Sequence, residues 1–130
     1  MRHLGPLMMR DYQESLPQTI QREWFDQSKL TDEIKQEPLK VFKIQNWDRA
    51  FYELTFAPAY PELRPLLPQL IVPVFIVAGA EDRLIRSWYF EAVAKEIPGA
   101  ELALIPNCGH VPQEECPDQF MEEVVHYLQK

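Results

Sequence analysis

At 130 residues and a net charge of −7, the chain is one domain long and acidic, with 46% apolar and 25% charged residues as in ordinary globular proteins. The excess of acidic groups, with no Lys/Arg cluster, argues against nucleic acid and against an anionic membrane surface as partners. No apolar run approaches the roughly 20 residues that span a bilayer.

Twelve prolines are about twice the usual share, but they are scattered and act as punctuation between elements. The opening stretch MRHLGPLMMRDYQ has an early basic residue, yet its apolar run breaks at Gly5-Pro6 and at Arg10, which makes a poor signal peptide. Two cysteines, Cys108 and Cys116, are too few for a disulfide framework. They point to a reducing, cytoplasmic setting and to small buried thiols.

Residues 1–68 are rich in Gln, Glu, Pro and aromatics, show helical spacing and contain no convincing strand. The stretch SLPQTIQREWF predicts a short helix with Pro17 near its start. Further on, Asn46 is placed as an N-cap before WDRAFYELTF, in which Trp47, Phe51 and Leu54 fall on one face. Such aromatics pack a core or line an apolar substrate pocket, and the pattern alone leaves both open.

From residue 69 to 130 the texture changes. VPVFIVAG predicts an inner strand of a parallel sheet, buried on both faces, with Pro73 where a missing N–H is tolerated. SWYFEAVAKEI predicts a helix capped by Ser87, with Phe90, Val93, Ala94 and Ile97 on its apolar face, ended by Pro98-Gly99. ELALI, residues 101–105, is a second strand. Pro117 and Asp118 suit the start of a last helix whose stripe is Phe120, Met121, Val124, Val125 and Leu128. The class is therefore α/β: a βαβα unit with parallel strands and a right-handed crossover, preceded by a helical segment.

Functional groups in open α/β sheets gather at the carboxyl ends of the strands. Two loops qualify: AGAEDRLI with Asp82, and PNCGHVP with His110. A separation of 110 − 82 = 28 residues is what one helix and one strand require. A loop histidine by itself more often just satisfies its neighbours. With an aspartate at its side it gains the orienting half of a catalytic triad, in which the carboxylate accepts the Nδ1 proton and leaves Nε2 as general base.

VPVFIVAGAEDRLI followed by LALIPNCGHVPQEECPDQFMEEVVHYL resembles the C-terminal part of the α/β-hydrolase fold, over roughly residues 66 to 130. In that family a G-x-x-D turn carries the triad acid, and G-H-x-P-x-x-E-x-P carries the histidine ahead of the last helix. Residues 1–68 resemble, by position and aromatic content, the cap segment that the family inserts before its acid-bearing strand. The resemblance makes Asp82, rather than the neighbouring Glu81, the triad acid and His110 the base. Gly109 would let the backbone turn just ahead of the histidine, and Glu114 or Glu115 would tie the loop down through backbone N–H groups.

The family's nucleophile sits on a G-x-S-x-G elbow, and its oxyanion donors on an H-G loop. Gly5, Gly79, Gly99 and Gly109 are the only glycines, and no two of them bracket a serine. The nucleophile and oxyanion loop are thus absent from these residues. Ser15, Ser28 and Ser87 lie in polar or helix-start contexts. Cys108 sits beside His110 on one tight turn, which is poor geometry for attack. Cys108, His110 and Cys116 lack a C-x-x-C pair and a fourth ligand for zinc, so neither metal nor cofactor is expected. His3 and His126 are read as surface residues, and Arg83 and Arg86 as surface ion pairs.

The expectation is a truncated α/β-fold hydrolase of small ester-like or apolar substrates. The chain would supply acid and histidine, and its partner would be the missing N-terminal half of the domain. Two alternatives stand beside it. One is the same fold with an aspartate nucleophile, resembling dehalogenases and epoxide hydrolases; the other is an inactive fragment or interaction module. A two-stranded unit also leaves a sheet edge open to self-association.

Overall fold

The computed structural model describes residues 5–56 and 61–130, with side chains of the first stretch from Met9 onward. Two compact units divide the chain. The first takes residues up to Gln21 and Leu30–Pro61; the second takes Arg22–Lys29 and Glu62–Lys130. Beside the division expected between residues 68 and 69, the second unit starts at Glu62 and also gathers a short segment from early in the chain.

The first unit is helical in its described residues. Helix α1, Gly5–Glu23, runs into the second unit's segment and is far longer than the stretch expected around Pro17, which lies inside it. Proline lacks the N–H for that turn and crowds the preceding carbonyl. Apolar spacing outweighs the defect: Met9, Leu16 and Ile20, at i, i+7 and i+11, share one face and all are buried. Thr31 caps α2, Asp32–Gln36, by accepting the Ile34 N–H at 3.3 Å. A 3₁₀ turn, Pro38–Lys43, leads to α3, Trp47–Thr55.

Asn46 does precede α3, but it works through its backbone. It adopts φ 61° and makes no side-chain cap bond; asparagine tolerates this left-handed geometry better than most residues. The expected face of α3 lines an apolar trough of about 440 Å³ with Tyr12 and Phe42. Tyr12 stacks on Phe51 and Phe42 meets Trp47 edge-on, both at 4.6 Å between ring centres.

The second unit holds two strands and three helices. Strand β1, Phe75–Gly79, pairs in parallel with β2, Glu101–Ile105, in the register Phe75 to Glu101 through Gly79 to Ile105. Helix α4, Ser87–Glu96, connects them. A short α5, Pro112–Glu115, and the final α6, Pro117–Leu128, follow. The second strand and last helix fall where the sequence places them, the latter with Pro117 in its first turn. Ile105, Cys108 and Cys116 form the buried cluster, with Val77 and Phe120 packed against it. Phe75 stacks on Tyr127 of α6 at 4.5 Å.

Four details depart from expectation. Strand β1 begins at Phe75, not Val72; Ile71 and Val72 are exposed, and Pro73 lacks the N–H a ladder needs. Ser87 is the first residue of α4 rather than its cap; Arg86 holds the cap position in extended geometry, without a side-chain bond. β1 is also not buried on both faces. The sheet has only two strands, and Phe75, Ile76 and Val77 are half-buried. On α6, Phe120 and Val124 are half-buried, whereas Met121, Val125 and Leu128 are 52%, 42% and 75% exposed.

Candidate active site

Parallel pairing brings the ends of β1 and β2, and the loops that follow them, side by side. The Ala80 N–H donates to the Ile105 carbonyl at 2.9 Å, extending the ladder one step past the strands. The next contacts are reciprocal. Glu81 N–H donates to the Cys108 carbonyl at 3.0 Å, and Cys108 N–H donates to Glu81 Oε2 at 3.1 Å. Gly79 is required here by close approach, because a Cβ on it would collide with the backbone of Cys108 and Gly109.

Asp82 and His110 meet across this junction. Asp82 Oδ2 lies 2.8 Å from His110 Nδ1. The other oxygen, Oδ1, accepts the N–H groups of Leu84 at 2.7 Å and Ile85 at 2.9 Å. The Asp82 side chain is 2% exposed and that of His110 is 30% exposed. Two backbone donors thus fix the carboxylate, which suits it to accept an Nδ1 proton. Among the described residues Nε2 has no hydrogen-bond partner, so it is free to take a proton from a nucleophile. A cleft of about 500 Å³ opens beside Asp82, lined by Phe25, Arg83, Ser87 and Trp88 among others.

Of the two adjacent carboxylates, then, Asp82 faces the histidine and Glu81 braces the loop that carries it. Glu115, not Glu114, ties the loop down. Buried at 2% exposure, it accepts the Gly109 N–H on Oε2 at 2.7 Å and the Asp26 N–H on Oε1 at 2.6 Å. The Lys29 ammonium donates to the Glu115 carbonyl at 3.0 Å. His110 N–H donates to the Glu23 carbonyl at 2.6 Å. Arg22–Lys29 therefore lies directly against the histidine loop, which the sequence did not suggest.

Gly109 has another purpose than the expected turn. Its φ is not positive; Asn107, at φ 56°, takes the left-handed position instead. A Cβ at residue 109 would strike the Glu23 carbonyl, so glycine is needed for the approach of that segment.

The cysteines require a correction. Cys108 and Cys116 form a disulfide, with Cα atoms 6.2 Å apart and His110 inside the closed loop. The one-turn helix α5 reverses the chain and returns residue 116 to residue 108, a proximity that cysteine count does not reveal. Free thiols are thus absent among the described residues, and the cysteine argument for a reducing compartment loses its basis. Cys108, Glu115 and Cys116 also cluster closely enough to suit a metal ion, but the sulfurs are bonded to each other and both Glu115 oxygens hold N–H groups.

Ser15 donates to the Tyr12 carbonyl and Ser28 to Asp26 Oδ1. Arg83 stands over the Phe25 ring at 6.0 Å instead of in the expected ion pair. His126 is exposed, and His3 falls outside the described residues. No helix among the described residues is long and apolar enough to cross a membrane.

Comparison with known proteins names the class. Residues 2–123 match the Alpha/beta hydrolase family, and the chain belongs to it. Over 66 residues it is 29% identical to a pimeloyl-(acyl-carrier protein) methyl ester esterase of Nitrosospira multiformis, covering 51% of this chain and 25% of that one. Over 63 residues it is 35% identical to a 2-hydroxy-6-oxononadienedioate/2-hydroxy-6-oxononatrienedioate hydrolase of a Pseudomonas species, covering 48% and 22%. The fold is that of a meta-cleavage product hydrolase from Pseudomonas fluorescens IP01, at a TM-score of 0.75 and 21% identity over 90% of this chain and 45% of that one. The chain thus spans about a quarter of the curated relatives it matches and under half of the solved structure. Hydrolase, the class expected from the sequence, is the class of these relatives.

Proposed function

We propose that Asp82 and His110 are the acid and the base of a nucleophile–histidine–acid centre that hydrolyses small ester-like or apolar substrates. The single observation that carries this reading is the 2.8 Å approach of a buried, doubly anchored Asp82 to His110 Nδ1, with Nε2 left free. Nucleophile and oxyanion donors come from outside these 130 residues, from a polypeptide corresponding to the first half of the relatives' domain. Exposed Trp88, Tyr89, Met121 and Leu128 support that partner, because they leave apolar surface for another layer to cover. The same open strand edges provide the route for self-association when that partner is lacking.

The test is complementation. The chain is co-expressed with an N-terminal portion of a family member that carries the serine elbow, and the pair is treated with a fluorophosphonate probe. Labelling of the serine is expected with the wild-type chain, and a loss of about a thousandfold or more with His110→Ala. Labelling that survives His110→Ala contradicts the assignment of the base.

A further inference from the structure

The carboxylate of Glu115 is placed where a carboxylate is costly. It is 2% exposed, and burial of a charge is tolerated only where donors replace water. Its two donors are backbone N–H groups, one from nearby Gly109 at 2.7 Å and one from Asp26, 89 residues away, at 2.6 Å. These contacts close a circuit. Glu115 holds Gly109, the next residue His110 donates its N–H to Glu23, and the chain from Glu23 returns to Asp26, which donates to Glu115. The backbone of His110 is therefore fixed on both sides, while its ring meets Asp82. Removing Glu115 opens the circuit at two places, at Gly109 just before the histidine and at Asp26, while the Glu23 contact, the Glu81–Cys108 pair and the disulfide remain.

We propose that Glu115 is a positioning residue for His110, acting through the Gly109 and Asp26 amides to hold the imidazole in register with Asp82. The catalytic consequence rests on His110 being the base; the geometric claim does not.

The geometric claim is tested on the 15N-labelled chain by NMR. Glu115→Gln keeps the side chain's size but turns one acceptor into an NH₂ group facing an N–H. Hydrogen exchange at Gly109 and Asp26 is expected to quicken roughly tenfold or more. The low-field His110 Nδ1 proton is expected to broaden or vanish, and the ring nitrogens to report a mixture of tautomers. Glu114→Gln, next door and exposed, removes the same charge and is expected to do none of this. Faster exchange with an unchanged His110 tautomer and Nδ1 proton would reduce Glu115 to a scaffold role and overturn the proposal. A second measurement covers a variant that does not fold. In the unmutated chain, scalar couplings across the hydrogen bonds are expected from the Gly109 and Asp26 nitrogens to the Glu115 carboxylate carbon. Absence of either coupling also overturns the proposal.

In the complemented enzyme, Glu115→Gln is expected to slow fluorophosphonate labelling by about tenfold to a hundredfold through misplacement of the base. Labelling at the wild-type rate contradicts a catalytic consequence. Should His110→Ala also label normally, the base assignment fails while the spectroscopic result on Glu115 stands or falls separately.

Discussion

The two units hold their side chains in place by different physics. In the first, an aromatic group around Tyr12, Phe42, Trp47 and Phe51 lines an open trough, and no residue of α3 is fully buried. In the second, the histidine loop is held by directed bonds: two from Glu81 and Cys108 to each other, two onto Glu115, one onto Glu23 and one disulfide. Apolar contact scales with area and tolerates sliding, whereas hydrogen bonds to buried carboxylates fix position within a few tenths of an ångström. A trough suits a variable apolar surface; a base that must meet a nucleophile needs the second kind of support.

The contrast predicts where substitutions do harm. Gly79→Ala, which forces a methyl group into the backbone of Cys108 and Gly109, should cost the most, about 3 kcal/mol or more by denaturant titration. A cost under about 1 kcal/mol would mean that the two loops can slide apart, as the trough can. Cys116→Ser opens the loop closed by the disulfide and should cost about 2–3 kcal/mol, read as a lower melting temperature that reductant does not lower further. The wild-type chain should fall to the same melting temperature in reductant.

Phe51→Ala removes a stacked ring from a partly open site and should cost about 1–2 kcal/mol, leaving the His110 resonances where they were. Shifted His110 resonances would blur the distinction between the units.

The smallest effect belongs to Asp26. The side-chain hydrogen bond from Ser28, helped by the Ser28 backbone N–H and Lys29, holds its carboxyl below the ordinary value of 3.8. A depressed carboxyl stabilises the fold above its unfolded value and loses that contribution as the pH falls through the folded one. Ser28→Ala should move the Asp26 midpoint upward in an NMR titration, and the small stabilisation it removes is one present at neutral pH and already lost in acid.

What the sequence made legible was whatever residue type and spacing encode directly. ELALI, a short apolar run set off by Pro98-Gly99 and Pro106, is a strand at the bounds the sequence predicts for it, and Pro117 starts α6 because a missing N–H is harmless there. Asp82 and His110 were visible because the crossover length and two loop motifs place them at adjacent strand ends. Three things were not. The disulfide depends on the reversal at α5, a tertiary event without a local signature. The approach of Glu23 and Asp26 to the histidine loop runs through backbone groups, which every residue type provides equally. Pro17 suggested a helix start, yet burial of Met9, Leu16 and Ile20 carried α1 through it. The role of Gly109 lay between these: its smallness was readable, but not which atom needed the space.

The central claim is that Asp82 fixes His110 as an Nδ1 donor with a free Nε2. Long-range 1H–15N correlation spectra of the chain and of Asp82→Asn test it most directly. With Asp82 present, neutral His110 should carry its proton on Nδ1 and show a low-field resonance for it; in Asp82→Asn that resonance should be lost and the proton redistribute toward Nε2. The same tautomer, with the same Nδ1 proton, in both proteins would contradict the account.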